Sequence, residues 1–225
     1  MSVDKNPKKI TKMFDEISSY YDKMNNLISL GTHCLIKKIA LENLAIKPYS
    51  NILDLCCGTG DFTKIINKIA PKSKIIGLDS SVEMLKLAKI KNPQKVFMYG
   101  DCTNLPFKEN EFDYITIGFG LRNVKNRQKA ISEIYRTLKT DGKFLHLDFG
   151  NHKFPSKIFD YIVKFMVKIH GLKFENYQYL IKSKNEYPEP NGLIKEFENE
   201  GFKLIKRKDF LFGVVSYQIL QKQLK

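Results

Sequence analysis

The stretch ILDLCCGTGDF, residues 52–62, decides the fold, because a short apolar run passes through a glycine turn into a helical pattern. Asn51–Cys56 reads as a buried strand and Phe62–Ala70 as the helix that follows it. Two adjacent cysteines, Cys56 and Cys57, stand at the mouth of the turn, which leaves three readings: a metal site, a redox couple, or a nucleotide cradle. Zinc takes four ligands, usually from separated Cys or His pairs. Neighbouring strand residues point to opposite faces, and Cys102 and the four histidines offer no matching pair, so no metal is expected. A redox dithiol would be spelled C-x-x-C, and that spelling is absent. A dinucleotide fingerprint would put a third glycine where Thr63 stands, and a P-loop would need Gly-Lys-Ser/Thr.

The carboxylates narrow the ligand. Asp79 ends the next strand, Lys74–Asp79, where it can accept from both ribose hydroxyls. Asp61, at the mouth of the helix after Gly58 and Gly60, suits a pyrophosphate poorly and a cationic ligand better. Asp101, in MYGDCTNL (98–105), can reach an adenine amino group, and the Cys102 backbone N–H can donate to the ring. A ligand with ribose and adenine, no phosphate and a positive charge is S-adenosylmethionine. Asp54, inside the first strand, is expected to bind its ammonium group. The two cysteines are then small buried side chains beside a close-packed turn.

Working outward, strands and helices alternate. Ser81–Lys91 is helical with Ser80 or Ser81 as its cap. Lys95–Tyr99, Phe112–Ile117 and Lys143–Phe149 are further strands, and Asn126–Leu138 is a helix. Such alternation calls for a parallel sheet covered by helices on both faces. Upstream, residues 8–29 read as one helix lying over the domain, followed by Thr32–Leu44. Downstream, Lys157–His170 and Gly192–Glu200 are helical, and Phe202–Lys208 with Gly213–Gln221 form an antiparallel hairpin. The expected organisation is one methyltransferase domain over 1–225: a helical cover (1–46), a cofactor-binding core (47–150), and a substrate- or membrane-facing part (151–225).

The chain has 225 residues and 43% hydrophobic composition, enough for one core. Its four cysteines lack framework spacing and suit reduced thiols in a cytoplasm. No run is long and apolar enough for a transmembrane helix, and no secretory signal is expected. The net charge of +14 is mostly lysine, with arginine only at Arg122, Arg127, Arg136 and Arg207. Scarce arginine and no stacking motif argue against a nucleic-acid partner. An RNA-binding methyltransferase or a non-catalytic S-adenosylmethionine sensor remains the alternative from a different class.

The segments YDKMNNLISLGTH (21–33), ILDLCCGTGDFT (52–63), GLDSSVEML (77–85), LPFKENEFDYITIGFGLRNV (105–124), EIYRTLKTDGKFLHLDF (133–149) and GFKLIKRKDFLFGVV (201–215) are similar to one family. It is that of the quinone-biosynthesis C-methyltransferases, which act on demethylmenaquinol or on the ubiquinone precursor. GFGLRNV is the most specific part, and CCGTGD and IGFG resemble the menaquinone branch. The resemblance implies a class I S-adenosylmethionine-dependent methyltransferase fold of Rossmann-like α/β type. Its sheet would be seven-stranded and mostly parallel, with an antiparallel C-terminal hairpin. It implies cofactor contacts at Gly58, Thr59, Asp79, Asp101, Cys102 and Gly118, where a missing side chain would leave room for the ligand. Departures fall on the substrate side: Ile36 stands where the family carries tryptophan, Asp148 replaces the usual glutamate, and SYQILQK replaces a hairpin containing histidine.

Methyl transfer to carbon needs an electron-rich ring carbon, which a hydroquinone provides once a phenolic proton is lost. Arg122 is the candidate catalytic residue, a fixed cation stabilising the phenolate; the competing role is to pin its loop to a carboxylate. Asn123 is expected to orient the same hydroxyl, and His33 and Tyr21 to line the substrate slot. The expected substrate is a prenylated quinol, demethylmenaquinol ahead of the ubiquinone precursor or another small phenol. On 157–170, Lys157, Lys164 and Lys168 oppose Ile158, Ile162, Phe165, Met166 and Ile169, the form of an interfacial helix. Peripheral contact with the inner face of a membrane and a homodimer are further expected partnerships.

Overall fold

The computed structural model describes residues 3–29, 31–150, 153–169 and 174–224. Among them, seven strands form one sheet in the order β3-β2-β1-β4-β5-β7-β6. The strands are β1 (Asn51–Leu55), β2 (Lys74–Asp79), β3 (Val96–Tyr99), β4 (Phe112–Gly118), β5 (Leu138–Phe149), β6 (Phe202–Phe210) and β7 (Val215–Lys222). The first five run parallel, and β7 is antiparallel to both β5 and β6. Chain order reverses between β1 and β4, so a crevice opens where β1 and β4 end, the place where open α/β sheets bind ligands.

Three helices cover the core crossovers: α4 (Asp61–Ile69), α5 (Val82–Lys91) and α6 (Arg127–Thr137). Ser81 proves to be the cap of α5, its Oγ accepting from Met84 N at 3.1 Å. Asn126 caps α6 by accepting from Lys129 N. Leu53, Leu55, Ile115, Ile117, Ile131 and Phe144 form the core on one face of the sheet. Ile52, Ile66, Leu145, Leu147 and Tyr217 form it on the other, under α3 (Thr32–Leu44).

Four expectations change. The single helix over 8–29 is α1 (Pro7–Ile17) and α2 (Tyr21–Ser29), separated by a 3-10 turn over Ser18–Tyr20. The break lets α1 reach α5, through Ser81 Oγ donating to Asp15 at 2.5 Å, while α2 packs on α3. β5 begins at Leu138 rather than Lys143, passing through Asp141 at φ 60°. The helix expected over Lys157–His170 is α7 (Lys153–Ile169), and a further helix, α8 (Phe174–Asn185), follows it unforeseen. α9 (Pro190–Glu200) then starts on proline, which lacks the N–H that a helix start leaves unbonded.

A chain of polar side chains is buried beneath β5. His146 Nδ1 donates to Gln218 Oε1 at 2.6 Å, and Tyr187 donates to His146 Nε2 at 3.0 Å. Gln218 donates in turn to Ser216 Oγ. Burial pushes the His146 pKa down, so the ring is held neutral with one donor and one acceptor, both used. Tyr187→Phe strands Nε2 without a donor. Urea denaturation should report a loss of about 1–3 kcal/mol; an unchanged midpoint would mean that the network is not coupled to stability.

Candidate active site

The turn after β1 is clamped from both sides by carboxylates. Asp54 accepts from Thr63 N at 3.0 Å and Thr63 Oγ1 at 2.7 Å, and from Thr116 Oγ1 at 3.0 Å. It thus ties the first turn of α4 to β1 and β4. Asp79 accepts from Gly58 N at 2.8 Å and Ser81 N at 2.9 Å, tying the turn to the end of β2. Cys56 carries φ 51°, and its side chain packs against Gly120, where an added Cβ would come within 2.4 Å of the Cys56 Cβ. Gly58, at φ 53°, faces open space. Burial pushes the Cys56 and Cys57 thiols well above their ordinary pKa; for Cys56 the largest cause is its hydrogen bond with Cys102.

Two cavities open along this edge and share a wall of Tyr21, Cys56, Gly58, Gly118 and Phe119. The one of about 580 Å³ is lined by Asp79, Ser80, Met84, Asp101, Cys102 and Asn123. The other, of about 310 Å³, is lined by His33, Lys37, Thr59, Asp61 and Arg122 together with Phe149, Phe159, Ile162 and Leu180. One cavity therefore presents carboxylates around the ends of β2 and β3, and its neighbour presents an apolar slot. A molecule spanning the shared wall would touch both.

The residues expected at the site fall into three groups. Gly58, Thr59, Asp79, Asp101, Cys102, Gly118, Tyr21, His33 and Arg122 all line one or both cavities. Asp101 also closes its own loop, accepting from Thr103 N at 2.8 Å. Asn123 lines the larger cavity, accepts from Tyr179 at 2.9 Å and donates to Phe119 O, the carbonyl that Arg122 also binds. Gly118 is small for a different reason from the expected one, since an added Cβ would lie 2.8 Å from the Phe62 ring.

Two carboxylates expected to face a cation line the smaller cavity and are also bonded within the fold. Asp54 has its three internal donors. Asp61 pairs with Lys37 at 2.8 Å and Lys91 at 3.8 Å; against the push of burial, these lysines hold its carboxyl below the usual range. Lys91 also pairs with Asp22 of α2, which accepts from Thr59 Oγ1 at 2.7 Å. The N-terminal helices are thus fastened to the glycine turn by ions from distant parts of the chain.

Arg122 is buried in the loop after β4. Its Nη1 donates to Phe119 O at 2.5 Å and to Asp148 at 2.9 Å, and the guanidinium lies over the Phe149 ring at 5.1 Å. The loop-pinning role is therefore physically present. Among the described residues, Arg122 Nε and Asp148 Oδ2 are buried without a hydrogen-bond partner, which leaves the pair capacity for a further polar group. Asp148 was noted in the sequence only as a departure, and its partner lies 26 residues away, beyond any local pattern.

The sequence profile of the ubiE/COQ5 methyltransferase family matches residues 2–222. The chain belongs to that family. It is similar to the demethylmenaquinone methyltransferase of Staphylococcus carnosus (strain TM300), at 37% identity over 96% of this chain and 93% of the relative. It is also similar to the demethylmenaquinone methyltransferase of Anoxybacillus flavithermus (strain DSM 21510 / WK1), at 33% identity over 95% of each chain. Among solved structures, a SAM-dependent methyltransferase from Thermotoga maritima superposes with a TM-score of 0.69 at 17% identity, over 96% of this chain and 100% of that one. That likeness shows the fold: this methyltransferase has the class I architecture, with a parallel sheet and a terminal antiparallel hairpin.

Burial raises the Asp54 pKa to about 7, although its three donors oppose the shift. A carboxyl that binds its proton more tightly when folded contributes stability that is complete below about pH 4. That contribution is lost as the pH rises through 7. Asp54→Asn keeps an acceptor for Thr63 and does not ionise. Melting of the ligand-free protein should therefore show Asp54→Asn gaining on wild type between about pH 4 and 7, and a constant difference would contradict this.

Proposed function

We propose that this enzyme moves a methyl group from S-adenosylmethionine to a ring carbon of a prenylated quinol, with demethylmenaquinol the first candidate, forming menaquinol. The observation that carries the reading is the pair of cavities with a common wall, one lined by carboxylates and one apolar. S-adenosylmethionine fits the first. Asp79 offers acceptor capacity toward ribose hydroxyls, Asp101 and Cys102 flank the adenine end, and the open space at Gly58 admits the ligand against the backbone. The bound donor supplies an electrophilic methyl group. The apolar slot of Phe149, Phe159, Ile162 and Leu180 suits a naphthoquinol ring with the start of a prenyl tail. In this reading Arg122 is the catalytic cation, its fixed charge facing a developing phenolate. The names of the relatives support the menaquinone assignment over the ubiquinone precursor, another small phenol, an RNA substrate or a non-catalytic sensor. Purified protein with labelled S-adenosylmethionine and a panel of reduced naphtho- and benzoquinols tests it: label should enter demethylmenaquinol fastest, and label in none of them would overturn the reading.

The mouth of the slot supports a membrane partner. Ile158, Tyr161, Ile162 and Phe165 of α7 are solvent-exposed, as are Leu211 and Phe212 on the β6–β7 connection, Phe212 at 93%. The inner face of α7 is instead Phe159 and Val163, packed on Met24 and Ile28 of α2. Lys157, Lys164 and Lys168 are exposed beside the outer apolar residues, while the side chains of Met166 and Ile169, and His170, lie outside the described residues. Exposed aromatic groups flanked by lysines favour an anionic bilayer surface. These features support a position at the cytoplasmic face of the membrane that holds its substrate. The homodimer expected from the sequence stays a proposal, checked by light scattering.

Three outcomes follow from these roles. Asp79→Ala should weaken binding of S-adenosylhomocysteine by tenfold or more in calorimetry, with NAD failing to bind to either form. Arg122→Lys keeps a charge for Asp148 but loses the planar fork; its turnover should fall at least tenfold, recovering partly as the pH is raised, with cofactor affinity unchanged. Phe165→Ser combined with Phe212→Ser should abolish co-sedimentation with anionic phospholipid vesicles that the wild type shows, while leaving the melting temperature in place.

A further inference from the structure

The quinol reading requires a group that takes the phenolic proton, and the apolar cavity holds several titratable side chains. Most are committed elsewhere. Asp54 has three internal donors, and Asp61 is held by Lys37 and Lys91. The Cys56 and Cys57 thiols are held protonated. Arg122 and Lys37 are cations, and Tyr21 is itself a phenol, too weak a base to deprotonate another. His33 is different.

His33 stands in the first turn of α3, buried against the cavity. Its Nδ1 lies 2.8 Å from Ser29 Oγ. The single hydroxyl proton of Ser29 is spent on Asn25 O, at 2.5 Å. Ser29 Oγ is therefore an acceptor toward the ring, which fixes the proton of neutral His33 on Nδ1 and leaves a lone pair on Nε2. The partner of that lone pair is the Cys34 thiol at 3.3 Å, a weak donor that a phenol displaces. Burial, and then the charge of Lys37, push the His33 pKa below its ordinary value, so the imidazole is neutral at neutral pH. The charged groups around it are Lys37 on its own helix, Asp22 on α2 and Asp61 on α4, with Lys91 of α5 bound to both carboxylates, and Arg122 lines the same cavity.

We infer that His33 is the general base of the reaction, with Ser29 as the positioning residue that selects its tautomer; this rests on the quinol reading above. His33 Nε2 takes the proton of the ring hydroxyl, and the electron pair left on oxygen moves into the ring. The ring carbon bonds to the methyl group while sulfur keeps the pair of the bond that breaks. The hydrogen on that carbon then leaves as a proton, His33 returns its own proton to the ring oxygen, and one proton per methyl reaches solvent.

The test measures His33→Gln, His33→Gly and Ser29→Ala beside wild type, with reduced demethylmenaquinol as acceptor. His33→Gln should lose at least 100-fold in kcat near pH 7, the size of a general-base contribution, with S-adenosylhomocysteine affinity within twofold. Wild-type kcat should fall along an acid limb below pH 6.5 that His33→Gln lacks, its rate rising instead with hydroxide. Added imidazole should restore part of the rate of His33→Gly, which a merely structural histidine would not allow. Nitrogen NMR of wild type should show the Nδ1–H tautomer, and Ser29→Ala should mix the tautomers and lower kcat about fivefold. Near-normal kcat in His33→Gln, no imidazole rescue in a folded His33→Gly, or an Nε2–H ring would each overturn the assignment while leaving the quinol reading intact. A wild type inactive on every quinol would overturn both.

Discussion

The structure depends on how the backbone is held where β1 ends. A chain leaving a central parallel strand must turn, free its amides from the ladder, and start a helix within a few residues. Here the turn runs through Cys56 at φ 51°, Gly58 at 53° and Gly60 at 81°, a path most side chains would not follow. Two carboxylates hold it, Asp54 from beneath and Asp79 from the neighbouring strand, each accepting backbone N–H groups of the turn or of the helix starts beside it. Leaving any of these buried donors without its acceptor would cost more than the bond contributes. These bonds fix the floor on which both cavities rest.

Around that floor a strongly basic chain gathers its acids. Asp15, Asp22, Asp61, Asp79 and Asp101 all stand along the same edge. Asp15 and Asp22 fasten α1 and α2 to α5 and to the glycine turn, and the pair of Asp61 with Lys37 fastens α3 to α4. These polar contacts add to the apolar packing of Ile10, Ile17, Met24 and Ile28 in closing the N-terminal helices over the edge. The polar ones are individually modest and exchangeable with water, which suits a cover that must admit a ligand.

The apolar cavity is built on different physics. Its aromatic and aliphatic lining is supplied by β5, α7 and α8, and Arg122, paired with Asp148 in the interior, lies over the Phe149 ring. A buried pair of this kind is weak evidence for stability, because desolvation offsets most of the attraction. Its value lies in holding a charge in one place, and among the described residues its Nε and Oδ2 have no partner.

What the sequence determined by itself was local and periodic. β2 over Lys74–Asp79, α3 over Thr32–Leu44, the Ser81 cap and the antiparallel hairpin follow from side-chain alternation and capping chemistry, so no distant residue had to be known. That Gly58, Asp79 and Asp101 stand at strand ends on one edge was legible because their spacing relative to those ends is itself local. The tertiary structure decided the rest. α8 has its packing supplied by α7, including the pair of Lys184 with Asp160. Gly118 is small because Phe62 lies against it. Asp61 pairs with Lys37, Asn123 accepts from Tyr179 and shares the Phe119 carbonyl with Arg122, and Ser29 Oγ lies 2.8 Å from His33 Nδ1. Periodicity shows which face of an element is apolar, but the partner of a polar side chain depends on which elements the fold brings together. For Arg122 and Asp148, 26 residues apart, that is settled by adjacent strands ending at the same edge.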